Sequence, residues 1–242
     1  MKNVGESVKR NKQFQKKFTR DKVLKRLITS KRPIIFDIGA HIGQSVKYLK
    51  SIFSDSQIYS FEPDPESFKK LISSVGSQSK CYCLAMTHYD ENAIFFRNNI
   101  SHTNSLLKVN LKSVDSIGLS EAHKSGNNDY LSNFNNEISI RTNRLDTFIE
   151  SEQIKMIDLL KIDVQGSEKD VLNGAEKALD RTKVIVIEIS FYDYYETQTS
   201  FKDIEQLIHP YGFSLYSISE ISQNPMNGHT DWVEAIYIRS YK

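Results

Sequence analysis

From Pro33 onward the chain alternates short apolar runs with amphipathic segments, and this alternation limits its fold more than any other feature. Ile34 to Ile38 reads as a buried strand, Gly43 to Ile52 as a helix and Gln57 to Phe61 as a second strand. Asp64 to Val75 reads as a helix opened by an acidic cap, and Lys80 to Met86 as a third strand. Strand, helix, strand, helix, strand requires right-handed crossovers and therefore a parallel sheet.

The middle is less regular. Ala93 to Arg97, Ser105 to Val109 and Glu137 to Arg141 read as added strands, and the polar stretch from Leu119 to Glu137 as a loop or lid. Alternation resumes with a strand in Met156 to Gly166, a helix from about Glu168 to Leu179 and a fully buried strand at Lys183 to Ser190. A helix near Phe201 to His209 and strands near Phe213 to Ile218 and Trp232 to Arg239 complete about seven principal strands. No repeat or linker divides the 242 residues, a length that suits one α/β domain with a continuous core.

Charge separates the first 32 residues from the rest. They hold twelve Lys or Arg against Glu6 and Asp21, so residues 33–242 carry twenty bases and twenty-eight acids, a balance of −8 within an overall +2. Val4, Val8, Phe14, Phe18, Val23, Leu27 and Ile28 recur at helical spacing among those bases. Such an arm packs its apolar stripe on the body, lies on an anionic membrane face or binds a polyanion. No apolar run approaches the roughly 18 residues of a membrane span, and the N-terminus lacks the apolar middle of a secretory signal. Cys81 and Cys83 are the only cysteines, badly spaced for a disulfide and too few for a strong metal site, which suits plain thiols in a reducing cytoplasm.

The stretch "IIFDIGAHIG" sets Asp37, Gly39 and Gly43 at the carboxyl end of the first strand, where ligands of open parallel sheets collect. Glycines there admit close backbone approach, and the next helix offers its N–H groups to an anionic group. Gly39-Ala40-His41-Ile42-Gly43 matches neither the three-glycine dinucleotide fingerprint nor the phosphate loop. Glu62, about twenty residues on and at the end of the second strand, is placed to accept hydrogen bonds from both ribose hydroxyls; the competing reading is a helix cap, which Asp64 serves better. A glycine turn followed by such a glutamate points to a nucleoside-containing cofactor.

In order and spacing, "FDIGAHIGQS", "YSFEPDP", "CLAM", "LLKIDVQGSEKDVLNGA" and "VIVIEIS" resemble the motifs of the FkbM family of S-adenosylmethionine-dependent methyltransferases, over roughly Ile34 to Ser190. The resemblance implies a class I methyltransferase Rossmann-like fold: a seven-stranded, mostly parallel sheet with an antiparallel last strand and helices on both faces. It also implies methylation of hydroxyl oxygens, often on sugars, glycan precursors or other small polar acceptors. The chain departs from the family at His41, where asparagine is frequent, and at Gln165, where glutamate is usual.

An alcohol is a poor nucleophile at neutral pH, so a base or a metal ion must help remove its proton. Asp163 and Glu188 end neighbouring strands and are the candidates: Asp163 as general base or metal ligand, Glu188 as acceptor binder, second base or second ligand, with a divalent ion such as magnesium as the metal. The bland alternative has them capping helices and pairing with Lys161 or arginines. Asp37 holds the cofactor's amino-acid end or braces the glycine loop, His41 touches the cofactor's carboxylate, and Ala85 and Met86 border the adenine. Ser105 or Asn104 binds the cofactor or caps a turn, His229 before the last strand reaches the acceptor, and the tyrosines of "DYYETQ" stack on it. Two other function classes compete: a nicotinamide-dependent oxidoreductase, which lacks its third glycine here, and a nucleic-acid binder, which the acidic body disfavours. Contact with a membrane through the arm and self-association stay open.

Overall fold

The computed structural model describes residues 4–239, apart from residues 114, 115 and 127. Helices α1 (Val4–Lys17) and α2 (Arg20–Leu27) precede β1 (Ile34–Ile38), which is followed by α3 (Gln44–Ile52), β2 (Gln57–Phe61) and α4 (Pro65–Val75). The chain continues through β3 (Lys80–Tyr82), β4 (Ala85–Thr87), β5 (Asn92–Arg97), α5 (Ile117–Ser125), α6 (Asn128–Ser132) and β6 (Asn136–Arg144). Then come α7 (Leu145–Ser151), β7 (Ile157–Ile162), α8 (Glu168–Asn173), α9 (Glu176–Arg181), β8 (Thr182–Ser190), α10 (Phe201–Ile208), β9 (Phe213–Gln223) and β10 (Thr230–Arg239).

Seven strands form one sheet in the order β3-β2-β1-β7-β8-β10-β9. Neighbours from β3 to β8 run parallel, and β10 is antiparallel to both β8 and β9, giving the α/β class I methyltransferase arrangement. Period-two alternation sorts the core onto two faces. Phe36 and Ile38 face Phe148 and Leu172, whereas Ile35 faces Leu24, Val46 and Leu49. Leu24 of α2 is wholly buried, so this part of the basic N-terminal segment belongs to the body, each such side chain contributing about 1.5–3 kcal/mol. Among the described residues no helix is long and apolar enough to cross a membrane.

Besides the helix read from Glu168 to Leu179, which is broken at Gly174 into α8 and α9, three segments differ from the sequence reading. Lys80 to Met86 is two strands: β3 stays in the main sheet, where Tyr82 stacks 5.4 Å from Phe61, and β4 leaves to pair with β6 in a three-stranded sheet ordered β4-β6-β5. Ser105 and Val109 make only isolated bridges, to Phe96 and Tyr195. The stretch from Leu119 to Glu137 is largely helical rather than a loop, because Ser116 caps α5, Gly126 ends it in a left-handed turn, and Leu119 and Phe134 bury against Tyr194 and Tyr195.

Candidate active site

From β1 the chain builds outward through β2 and β3 and then returns to add β7 and β8 on the other side, so the crevice beyond the carboxyl ends of β1 and β7 is the topological switch point of the sheet. A cleft of about 560 Å³ lies there, of the size expected for a small-molecule site. Its base is the turn after β1. Gly39 adopts φ 85°, and a Cβ on it would stand 1.8 Å from the carbonyl oxygen of Asp163. Gly43 adopts φ 93°, and a Cβ there would meet Val75 at 2.4 Å. Both positions therefore require glycine.

The turn is tied to the second strand. The amides of Gly39 and Ala40 both donate to the Phe61 carbonyl at 3.0 Å, and the His41 amide donates to Glu62 Oε2 at 2.9 Å. Glu62 Oε1 accepts from the Asp64 amide at 2.9 Å, which leaves each carboxylate oxygen a further lone pair. Burial pushes the Glu62 carboxyl up to about 7 against the pull of those two amides. Helix capping falls to Asp64, which accepts from the Ser67 amide. The His41 ring lies 2.9 Å from Ser101 Oγ, and burial together with His102 lowers its pKa, so it is neutral at pH 7.

Asp37 is fully buried and is not a lining residue of the cleft. It accepts from the Ser45 hydroxyl in the first turn of α3 and stands 3.5 Å from Lys161 Nζ, the contacts of a brace for the glycine turn. Ala85 and Met86 form one wall with Leu84, Phe95 and Leu106. Ser105 is buried behind the cleft, where its hydroxyl donates to the Gln165 carbonyl at 2.7 Å and accepts from the Leu107 amide; Asn104 lines the cleft in its place.

On the opposite wall, Asp163 and Glu188 share one donor. The Gln165 side-chain nitrogen is 2.9 Å from Asp163 Oδ1 and 3.0 Å from Glu188 Oε1. The two acceptor acids require the NH2 end of the amide to face them, and the Tyr195 hydroxyl lies 3.0 Å from both Gln165 Oε1 and the Thr103 carbonyl oxygen. Lys161 Nζ donates to Asp163 Oδ2 at 3.1 Å. Burial opposes the charge of Asp163, but Lys161 and the Gln165 amide prevail and hold its carboxyl below the usual range. Burial and the neighbouring Asp163 push Glu188 up to about 8. Two similar acids at adjacent strand ends therefore differ sharply in proton affinity.

The pairing of Asp163 with Lys161 is the contact that the bland reading of the sequence expected, and it argues against a metal there. Among the described residues no group of three or more His, Cys, Asp or Glu side chains is placed to hold a metal ion. With an amide N–H between the two acids and an ammonium on one of them, Asp163 and Glu188 do not fit a divalent cation, which needs several free oxygen ligands. His229 sits exposed in the turn before β10 and is not a lining residue; Trp232 and Glu234 of that strand are. Tyr194 and Tyr195 are buried rather than offered to an acceptor, their rings 4.8 Å apart.

Sequence reasoning missed Arg20, which enters the cleft wall from α2. Its guanidinium pairs with Glu220 at 3.4 Å and with Glu234, and lies 4.5 Å from the centre of the Tyr48 ring. One arginine among twelve basic residues carries no signal of its own. Lys161 did carry one, as a lysine inside the otherwise apolar "LLKI" run.

The profile of the methyltransferase FkbM domain family matches residues 37–215. The 2-O-methyltransferase NoeI of Sinorhizobium fredii is 28% identical over 183 residues, 75% of this chain and 73% of that protein. Methyltransferase 1 of Beauveria bassiana is 25% identical over 199 residues, 75% and 72% of the two chains. Among solved structures, a TehB-like SAM-dependent methyltransferase from Corynebacterium glutamicum matches with a TM-score of 0.46 at 11% identity, over 98% of this chain and 100% of that one.

Proposed function

The chain belongs to the FkbM methyltransferase family, and from that premise we propose that it transfers a methyl group from S-adenosylmethionine to a hydroxyl oxygen of a sugar, glycan precursor or similar small polar acceptor, with Glu188 as the base. S-adenosylmethionine supplies the methyl on a positively charged sulfur, so the protein's task is to place the acceptor oxygen and receive its proton. The family assignment does not favour the nicotinamide alternative, and the 2-O-methyltransferase activity for which NoeI is named supports oxygen as the atom methylated.

The cofactor lies along the glycine turn. Gly39 and Gly43 let it approach the backbone, Glu62 offers its remaining lone pairs to the ribose hydroxyls, and Ala85 and Met86 bound the adenine. Asp163, held anionic by Lys161, faces the cofactor's positive charge. When the acceptor oxygen bonds to the methyl carbon, its proton passes to Glu188, leaving a methyl ether and S-adenosylhomocysteine.

The observation that carries this division of labour is the single Gln165 amide held between two acids of opposite tendency. A base works best with a pKa near the working pH, which Glu188 has and Asp163 lacks. Glu188→Gln should lower turnover by about 10²–10⁴-fold while calorimetry shows S-adenosylhomocysteine binding retained. Asp163→Asn should weaken the binding of S-adenosylmethionine, whose sulfur is positively charged, more than that of S-adenosylhomocysteine. Full turnover in Glu188→Gln would remove the base from this residue.

A further inference from the structure

Beyond the glycine turn the cleft continues to an end with no role in the cofactor reading, lined by Arg20, Tyr48, Glu188, Glu220, Trp232 and Glu234. Three parts of the fold meet there: the N-terminal helix α2, helix α3, and the strands β8, β9 and β10. Arg20 fastens α2 to the other side by pairing with Glu220 and Glu234 while stacking on Tyr48. Ser219 on β9 donates to Glu234 and steadies it. Trp232, half-buried, is the chain's single tryptophan.

From this geometry we infer that the arm-side end of the cleft is the acceptor subsite, and that it selects a neutral polyhydroxylated acceptor over any acceptor bearing phosphate, sulfate or carboxylate near the reacting hydroxyl. The inference rests on the methyl-transfer reading and adds to it the location and charge of the acceptor.

Charge balance gives the reason. The described lining residues include five acidic side chains, Glu62, Asp163, Glu188, Glu220 and Glu234, of which Glu62 and Glu188 ionise only near pH 7 to 8, against two cations, Arg20 and Lys161. Both cations are already engaged, Arg20 by Glu220 and Glu234, Lys161 by Asp37 and Asp163. An anionic acceptor would lose its hydration, meet like charge and find no cation to offset either cost. Hydroxyl groups face no such conflict, since they are uncharged and donate to carboxylate oxygens. The indole face of Trp232 offers an apolar surface to the C–H side of a sugar ring, and its N–H offers a donor at the edge.

The test uses the full chain, methyl-tritiated S-adenosylmethionine and a polar extract of cells that carry the gene, divided by anion exchange into unretained and retained fractions. Label is expected in the unretained fraction. Trp232→Ala should lower this labelling about tenfold, and Trp232→Phe, which keeps a ring, should restore most of it. Affinity of both variants for S-adenosylhomocysteine, measured by calorimetry, should stay within about twofold of the unaltered chain, which separates loss of the acceptor from loss of the fold. Label in the retained fraction, or undiminished labelling by Trp232→Ala, overturns the inference, as does absence of label from both fractions by a protein that binds S-adenosylhomocysteine. Failure of the unaltered chain to bind S-adenosylhomocysteine would strike the methyltransferase reading instead, so the two failures are distinguishable.

Discussion

Glu62 and Glu168 are pushed up to about 7 and Glu188 to about 8, chiefly by burial. In the unfolded chain these groups ionise near 4.5. Between those limits the native state binds more protons than the unfolded one, so their contribution to stability is full below about 4.5 and is lost as pH rises through about 7 to 8. Catalysis has the opposite sign, because Glu188 must be ionised to accept a proton. Methyl transfer should therefore rise with pH to a plateau, with a midpoint near 8, while the thermal midpoint falls from pH 5 to pH 8. A pH–rate profile and a series of thermal melts check both. Glu168→Gln should flatten the melting series and, by removing a negative charge that raises Glu188, move the kinetic midpoint down rather than up. At this scale the sequence showed both acids at the rim but not their difference, which comes from burial of Glu188 beside Asp163 and from the Lys161 ammonium, which bonds Asp163 directly.

Two of the misread elements meet in the fold. The sequence gives Glu168 to Leu179 a continuous helical period and Lys80 to Met86 a continuous apolar run, yet the structure breaks both. Gly174, between α8 and α9, would place a Cβ 1.9 Å from the carbonyl oxygen of Thr87, at the end of β4 away from its break with β3. This close approach depends on a contact between residues 87 positions apart. Hydrophobic period, being local, registers neither half of it. Gly174→Ala should cost about 1–3 kcal/mol through overpacking. In a chain of this length that is a fall of several degrees in thermal midpoint, at about 2–4 °C per kcal/mol. Since Thr87 follows Met86, the same variant should raise the KM for S-adenosylmethionine more than it lowers kcat, a split that steady-state kinetics measures.

At the scale of the whole molecule, the N-terminal segment reads in the sequence as one basic helical arm, but its two helices sit in different surroundings. The described side chains of α1 are exposed, including Val8 and Phe14, whereas Val23, Leu24 and Ile28 are buried on the face of the sheet that also takes Ile35 and Val46. Spacing accounts for the contrast. Val23, Leu24, Leu27 and Ile28 form a dense i, i+1, i+4, i+5 stripe that covers sheet, while Val8, Phe14 and Phe18 are too sparse to do so. What the sequence could not show is that the dense stripe also carries Arg20 into the cleft wall, since α2 lies far from β9 and β10 along the chain. Removing residues 1–18 should leave the thermal midpoint within about 2 °C of the full chain, because it uncovers little buried apolar surface. Removing residues 1–28 uncovers three buried side chains worth about 1.5–3 kcal/mol each and opens the cleft on the side of Arg20. The second deletion should lower the midpoint by more than about 10 °C or prevent cooperative unfolding altogether. Differential scanning calorimetry of the two truncations decides the matter: equal melts would mean that α2, like α1, lies outside the folded body.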